Sequence, residues 1–265
     1  MLRYPLVVVG VAIGVLLGSS QLADADTWAY SFEGAEWGSP DWTGAGNASW
    51  ANDGGVSPPK RLRMTNAAGG QNGAAWLNAE QLSPGQDWNT AMRCQITYRG
   101  GGGADGMGFI WQTDGLGANP SFEGGGLSGA FLAISMDSWQ NSGEIWGNAL
   151  EVHSSAGQIG ALDIGDALER DDFFNVFASY DDDTKNLSVT FDSDALSPVV
   201  GNWNVDLTTL FGPGARAHVG FAGSTGGANE NHDILGMNIT AVPEPVSLAL
   251  LAIGALPVLR RRRVR

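Results

Sequence analysis

Basic residues are scarce in this chain of 265 residues: 14 Lys+Arg stand against 28 Asp+Glu, for a net charge of −14. Without a basic face nothing neutralises a phosphate backbone, so nucleic acid is excluded as a partner. Cysteine is nearly missing, and the single Cys94 rules out an internal disulfide. Charge of either sign is low, at 16% of residues, which argues against a coiled coil or a long solvated helix. No stretch of the central region sustains a period of 3.6, so helices are not the building material. The catalytic patterns G-x-S-x-G and H-E-x-x-H do not occur. Glycine, by contrast, is abundant: 39 residues, about twice the usual share of ~7%. The glycines follow no three-residue period, which excludes collagen. With 43% hydrophobic residues, 10 Trp and 10 Phe, a packed core is within reach. The acidic excess suits calcium, neutral sugars or plain solubility.

Both ends read as addresses. Arg3 precedes an apolar run from Pro5 to Leu17, and small and polar residues then close in Ala23-Asp24-Ala25. That order is the pattern of a secretory signal peptide over residues 1–25, with cleavage expected before Asp26. At the other end Val242-Pro243-Glu244-Pro245 leads into apolar Val246 to Leu259 and then an arginine-rich tail, Arg260 to Arg265. The apolar span is short against the roughly 20 residues needed to cross a bilayer, and the arginines favour the cytoplasmic side. Residues 243–265 resemble the sorting signal of PEP-CTERM proteins from Gram-negative bacteria that make exopolysaccharide. The resemblance implies export, transient membrane contact, and cleavage by an exosortase-type transpeptidase. The destination it implies is secreted, at the cell surface or in the extracellular matrix. Residues 26–242 between the two segments form one domain by length.

Within that domain short runs alternate with period 2 and are separated by Gly, Asn, Asp and Pro, the signature of strands. Phe173 to Tyr180 and Leu187 to Phe191 read as a hairpin around Asp181-Asp182-Asp183-Thr184-Lys185-Asn186. Its aspartates are expected to serve the turn rather than a metal. Gly106–Gln112, Phe131–Met136, Ala217–Ala222 and Ile234–Thr240 read as further strands. In Ala91 to Tyr98, alternation places Met92, Cys94, Ile96 and Tyr98 on one buried face, so Cys94 is a core thiol. Asn47–Gly73 and Thr113–Gly126 read as long loops, and loops of that length in a compact domain tend to carry function. The fold class is all-β, a sandwich or jelly roll.

Four segments then stand out in order. They are Gly103-Ala104-Asp105-Gly106-Met107-Gly108-Phe109; the glycine-rich Gly124 to Gly129 leading to Met136-Asp137-Ser138-Trp139-Gln140-Asn141; the Asn175-to-Val189 hairpin; and Ala217 to Gly226 running on to Glu230-Asn231-His232-Asp233-Ile234-Leu235. Together they resemble the legume-type lectin domain over nearly the whole central region. The resemblance implies a concanavalin A-like jelly-roll β-sandwich of antiparallel sheets that binds carbohydrate and Ca²⁺ without catalysis. It implies a cis peptide before Asp105 and a sugar site of Asp105, Gly126, Trp139 and Asn141. Gly226 and Gly227 then lie in the loop that sets monosaccharide choice. It further implies calcium ligation by Asp137, the Trp139 carbonyl, Asn141 and Glu144, and frequent homodimers.

Two departures bear on the metals. The family's second, transition-metal ion uses a glutamate two before the bridging aspartate and a histidine after the loop. Ser135 and Ala149 stand at those positions, so no such site is expected there. His153 is read as structural, with a substitute ligand role as the alternative. His232-Asp233 is read as a structural pair bracing the last strand rather than a catalytic dyad. A sandwich glycosidase would need two carboxylates flanking the scissile bond. Ile134 to Ser138 carries one acid, and Glu151 stands isolated in the sequence. The expected function is therefore an exported, calcium-dependent lectin for surface or matrix exopolysaccharide. The alternatives are a structural matrix protein that has lost sugar binding and, less favoured, a glycoside hydrolase.

Overall fold

A strand with one apolar face must pair along its edges and stack that face on another sheet. The computed structural model describes residues 26–34, 38–53, 59–78, 83–142 and 144–241. The signal-peptide reading of residues 1–25 and the sorting-signal reading of 243–265 lie outside them. In chain order the strands are β1 (Asp26–Ser31), β2 (Trp42–Gly46), β3 (Ser49–Asn52), β4 (Lys60–Thr65), β5 (Asn72–Leu77), β6 (Trp88–Gly100), β7 (Gly106–Gln112) and β8 (Phe131–Asp137). They continue as β9 (Ala149–Ser154), β10 (Gly157–Asp163), β11 (Phe173–Asp181), β12 (Asn186–Ser193), β13 (Leu196–Asn204), β14 (His218–Ser224) and β15 (Asn229–Ala241). One sheet runs β13-β12-β11-β6-β15-β4-β3, with β1 also on β15; the other runs β10-β9-β8-β7-β14-β5-β2. Every pairing is antiparallel. The chain is an all-β, concanavalin A-like jelly-roll sandwich.

The core lies between the sheets. Trp88 packs on Trp111 with ring centroids 5.1 Å apart, and Phe174 stacks on Phe191 at 5.4 Å. Each large apolar side chain removed from water contributes about 1.5–3 kcal/mol, which sustains the sandwich without a disulfide. Met92, Cys94 and Ile96 point inward as alternation requires, and burial pushes the Cys94 thiol well up.

Tyr98 breaks that alternation. Three steps along β6, from Thr97 to Gly100, face two along β15, from Asn231 to Asn229. The extra residue makes a bulge, Tyr98 adopts φ 55°, and its ring is 56% exposed. The expected loop Asn47–Gly73 also contains strands, β3 and β4. Its charged residues hid the pattern because they are buried in pairs. Arg61 is fully buried and donates to Asp233 at 2.9 Å and to Gln95 at 3.1 Å. Arg63 donates to both Asp233 oxygens, at 2.7 and 2.9 Å. The expected hairpin at Asp181–Asn186 is present; Asp181 accepts from the Thr184 amide at 2.8 Å, and Asp182 pairs with Lys185 at 2.7 Å.

Candidate functional site

Register in the second sheet brings the ends of three strands together. Gly106, first in β7, lies opposite Asp137 at the end of β8 and opposite Ser224 at the end of β14. The residues just outside those ends, Asp105, Ser138–Asn141 and Thr225–Gly227, therefore share one rim. The Ala104–Asp105 peptide is cis. The Asp105 amide donates to the Ser224 carbonyl at 2.8 Å, and its carbonyl accepts from the Ser138 amide at 2.9 Å. The Gly226 backbone lies against the Asp105 carboxylate and favours its charged form. A Cβ at Gly226 would stand 3.0 Å from Asp105 Oδ1, so only glycine leaves that approach free. Gly227 and Gly126 face open space.

The loop behind Gly226 is held by a turn that sequence reading did not single out. Thr225 donates from its hydroxyl to the Ala68 carbonyl at 2.7 Å and accepts from the Gln71 amide at 2.9 Å. Below the rim Glu230 is fully buried; it accepts from the Ser138 hydroxyl and meets His232 Nε2 at 3.0 Å. Burial raises the Asp105 carboxyl above its ordinary value; the Glu230 charge adds to that, while His232 and the Gly226 amide oppose it. His232 and Asp233 do not pair with each other. His232 meets Thr65 at 2.6 Å and Glu230, whereas Asp233 holds Arg61 and Arg63. Both brace β15 structurally.

Trp139 is 39% exposed, with its ring beside Gly102, and its amide donates to Asp137 Oδ1 at 2.9 Å. Asn141 donates from its backbone amide to the Glu144 carboxylate and from Nδ2 to Glu144 Oε1 at 3.1 Å. Of the four residues expected to hold calcium, Asp137 and Glu144 bring carboxylate oxygens within 4.8 Å of each other. Asn141 joins them through Glu144.

A third carboxylate in the same group, Glu123, was not expected. The loop carrying it folds over β7 and β8. Gly108 and Ser135 are small enough to admit the Phe122 backbone, and the Ser135 hydroxyl donates to the Phe122 carbonyl at 3.0 Å. Glu151 is likewise not isolated: β9 places it opposite Ser135, and its carboxylate groups with Glu123 and His153. Sequence spacing carries no signal for these contacts, which come from strand register and loop folding.

Crowding of acids in a desolvated place disfavours ionisation. Asp137, 2% exposed, has its carboxyl pushed up to about 8 by burial, with Glu151, Glu144 and Glu123 adding repulsion against the Trp139 hydrogen bond. Burial raises Glu123 in the same direction, opposed by His153. A divalent cation would offset that repulsion, and the oxygen set of Asp137, Glu144 and Glu123 fits the hard, oxygen-seeking Ca²⁺.

A jelly-roll sandwich whose rim joins Asp105 to a cluster of acidic side chains has the build of a lectin-type domain. The chain belongs to the legume lectin domain family, whose sequence profile matches residues 44–248. Protein ERGIC-53 of Mus musculus is 24% identical over 237 residues, 82% of this chain and 43% of that protein. The chain thus spans less than half the length of that curated relative. Among solved structures, a Bauhinia forficata lectin in complex with GalNAc superposes with a TM-score of 0.65 at 15% identity, covering 82% of this chain and 98% of that one. A Lotus tetragonolobus seed lectin gives 0.67 at 18% identity, covering 83% and 100%.

Proposed function

We propose that this protein is an exported, calcium-dependent lectin whose ligand is a glycan of the cell surface or extracellular matrix, exopolysaccharide included. The observation that carries the reading is the 2.9 Å hydrogen bond from the Ser138 amide to the Asp105 carbonyl. It ties Asp105, the sugar acceptor in this reading, directly to the segment bearing Asp137, Trp139 and Asn141.

In this reading Asp105 accepts from two ring hydroxyls, and the Gly226 amide keeps its carboxylate oriented. The Asn141 amide and a Gly126 N–H supply donors, and Trp139 offers an apolar plate for the C–H face of the ring. Asp137, Glu144 and Glu123 hold the cation pocket together with Asn141 and the Trp139 carbonyl. A bound Ca²⁺ supplies charge neutralisation and rigid coordination. Gly226 and Gly227 leave the specificity loop without side chains, so the pocket admits more than one monosaccharide. The address segments at 1–25 and 243–265 support export and exosortase-type processing, with membrane contact only in transit. Homodimers through a sheet edge are part of the same reading. The carboxylates gathered at Glu123 and Glu151 serve ion binding rather than hydrolysis.

The test is a glycan array with and without Ca²⁺. Retention in calcium, its loss in EDTA, and its loss in Asp105→Ala at unchanged thermal midpoint are the expected results. A folded, calcium-loaded protein that retains no glycan would leave the structural matrix role in its place. Release of reducing ends from polysaccharide would reject the non-enzymatic reading.

A further inference from the structure

Away from the rim, the outer face of the first sheet carries small, uncharged residues. Strand register aligns Asn238, Ala91, Phe177, Thr190 and Val200 in one row across β15, β6, β11, β12 and β13. Asn89, Ser179, Ser188 and Asn202 lie in the row beside it. Alternation turns these side chains outward, since chain neighbours such as Val176, Ala178 and Val189 are buried in the core. These nine side chains bear no charge, in a chain whose net charge is −14. Charge returns at the margins, with Arg93 and Asp192 beside one row and Asp181 beside the other. A groove of about 380 Å³ crosses β15, β6, β11 and β12 here, with Phe177 in its lining.

We propose that this groove is a second carbohydrate site, for a long neutral glycan chain laid across the strands. Phe177 is 45% exposed and offers an apolar plate to the C–H face of a pyranose ring. Around it, the side chains of Asn89, Ser179, Ser188 and Thr190 take no hydrogen-bond partner among the described residues. The Asn238 side-chain oxygen accepts from the Ala91 amide at 2.9 Å, which leaves Nδ2 to donate. Hydroxyls and carboxamides both donate and accept, as sugar hydroxyls do. Adjacent strands are about 4.8 Å apart, so the row from Asn238 to Val200 spans about 19 Å, room for several sugar rings.

Other occupants match the face less well. A phosphate or uronate polymer would find no cation in the two rows and an acidic molecule around them. A second copy would bring its own net charge of −14. Of the large apolar side chains in the two rows, Phe177 and Val200 alone are exposed, a thin centre for an interface between proteins. The groove shares no residue with the rim at Asp105, and none of its lining residues is acidic. It therefore stands apart from the cation pocket and from the reading of the rim.

The experiment uses the full chain carrying Asp105→Ala, in Ca²⁺, so that the rim is disabled in every arm. Affinity electrophoresis is run through gels holding dextran, laminarin, mannan or galactomannan, with alginate as the acidic polymer. Long polymers are needed because short array glycans engage too little of the groove. Retardation by at least one neutral polymer and none by alginate is expected. Adding Phe177→Ala or Phe177→Leu should weaken it about tenfold at unchanged thermal midpoint, whereas Phe177→Trp keeps it. No retardation by any neutral polymer, equal retardation with Phe177→Ala, or retardation by alginate overturns the proposal. So does a dimer in sedimentation that Phe177→Ala dissociates, which would assign the face to a second copy. Retention of short glycans by the chain with Asp105 intact reports on the rim alone, so the two readings fail separately.

Discussion

In its proposed role Asp105 would accept two sugar hydroxyls as an anion, yet its setting disfavours the charge. Burial and the nearby Glu230 raise its carboxyl, against His232 and the Gly226 amide. Relative to the unfolded chain, the folded state holds this proton to higher pH. The group therefore favours the fold at low pH and costs stability as pH rises through its elevated pKa. Binding runs the other way. With calcium kept saturating, glycan retention should fall on acidification with a midpoint above the ordinary carboxylate value of about 4, as a pH series on an immobilised glycan would record. Asp105, Asp137, Trp139 and Asn141 could be named from the sequence because their spacing is local to one strand end each, and strand register then sets those ends on one rim. Glu123 was not: nothing in residues 113–126 marks which side chain turns inward.

At the scale of elements the loop from Thr113 to Ala130 matters most to the proposed function, since it carries Gly126, the proposed sugar contact, and Glu123, which joins the acidic cluster with Asp137 and Glu144. Its position depends on how closely Phe122 approaches β7 and β8. A Cβ at Gly108 would come within 2.2 Å of the Phe122 carbonyl oxygen, a distance side chains do not tolerate. Gly108→Ala should displace the loop and weaken calcium and glycan binding at least tenfold, or about 1.4 kcal/mol, while far-UV circular dichroism keeps its strand signature. Strands whose alternation was apolar, such as β7, β8 and β11, were readable in the sequence. β4 was not, because Arg61 and Arg63 occupy buried positions that a hydrophobicity pattern assigns to solvent. The Tyr98 bulge escaped for a similar reason: one inserted residue reverses the face without changing composition.

For the whole molecule, the two arginines of β4 and Asp233 of β15 hold one end of the first sheet from inside. Breaking a buried ion pair by removing one partner typically costs 3–5 kcal/mol. Asp233→Asn removes the carboxylate that Arg61 and Arg63 share, leaving Arg63 its 2.6 Å pair with Asp53, and should lower stability by about that amount in urea or thermal unfolding. His232→Gln, by contrast, keeps the hydrogen-bonding reach toward Thr65 and Glu230 and should cost less.

Composition and period alone settled that this chain is a strand-built, acidic, disulfide-free sandwich, because apolar alternation is a property of neighbours in the chain. The motif order was enough to place Asp105 and the Asp137–Asn141 segment. Which acids surround Asp137 was decided only in three dimensions. Ser135 and Glu151 meet through the β8–β9 register, and Glu123 reaches Glu151 and Asp137 from a loop whose Phe122 carbonyl accepts from the Ser135 hydroxyl. Electrostatic crowding acts through space at a few ångströms, and sequence separation does not measure that distance.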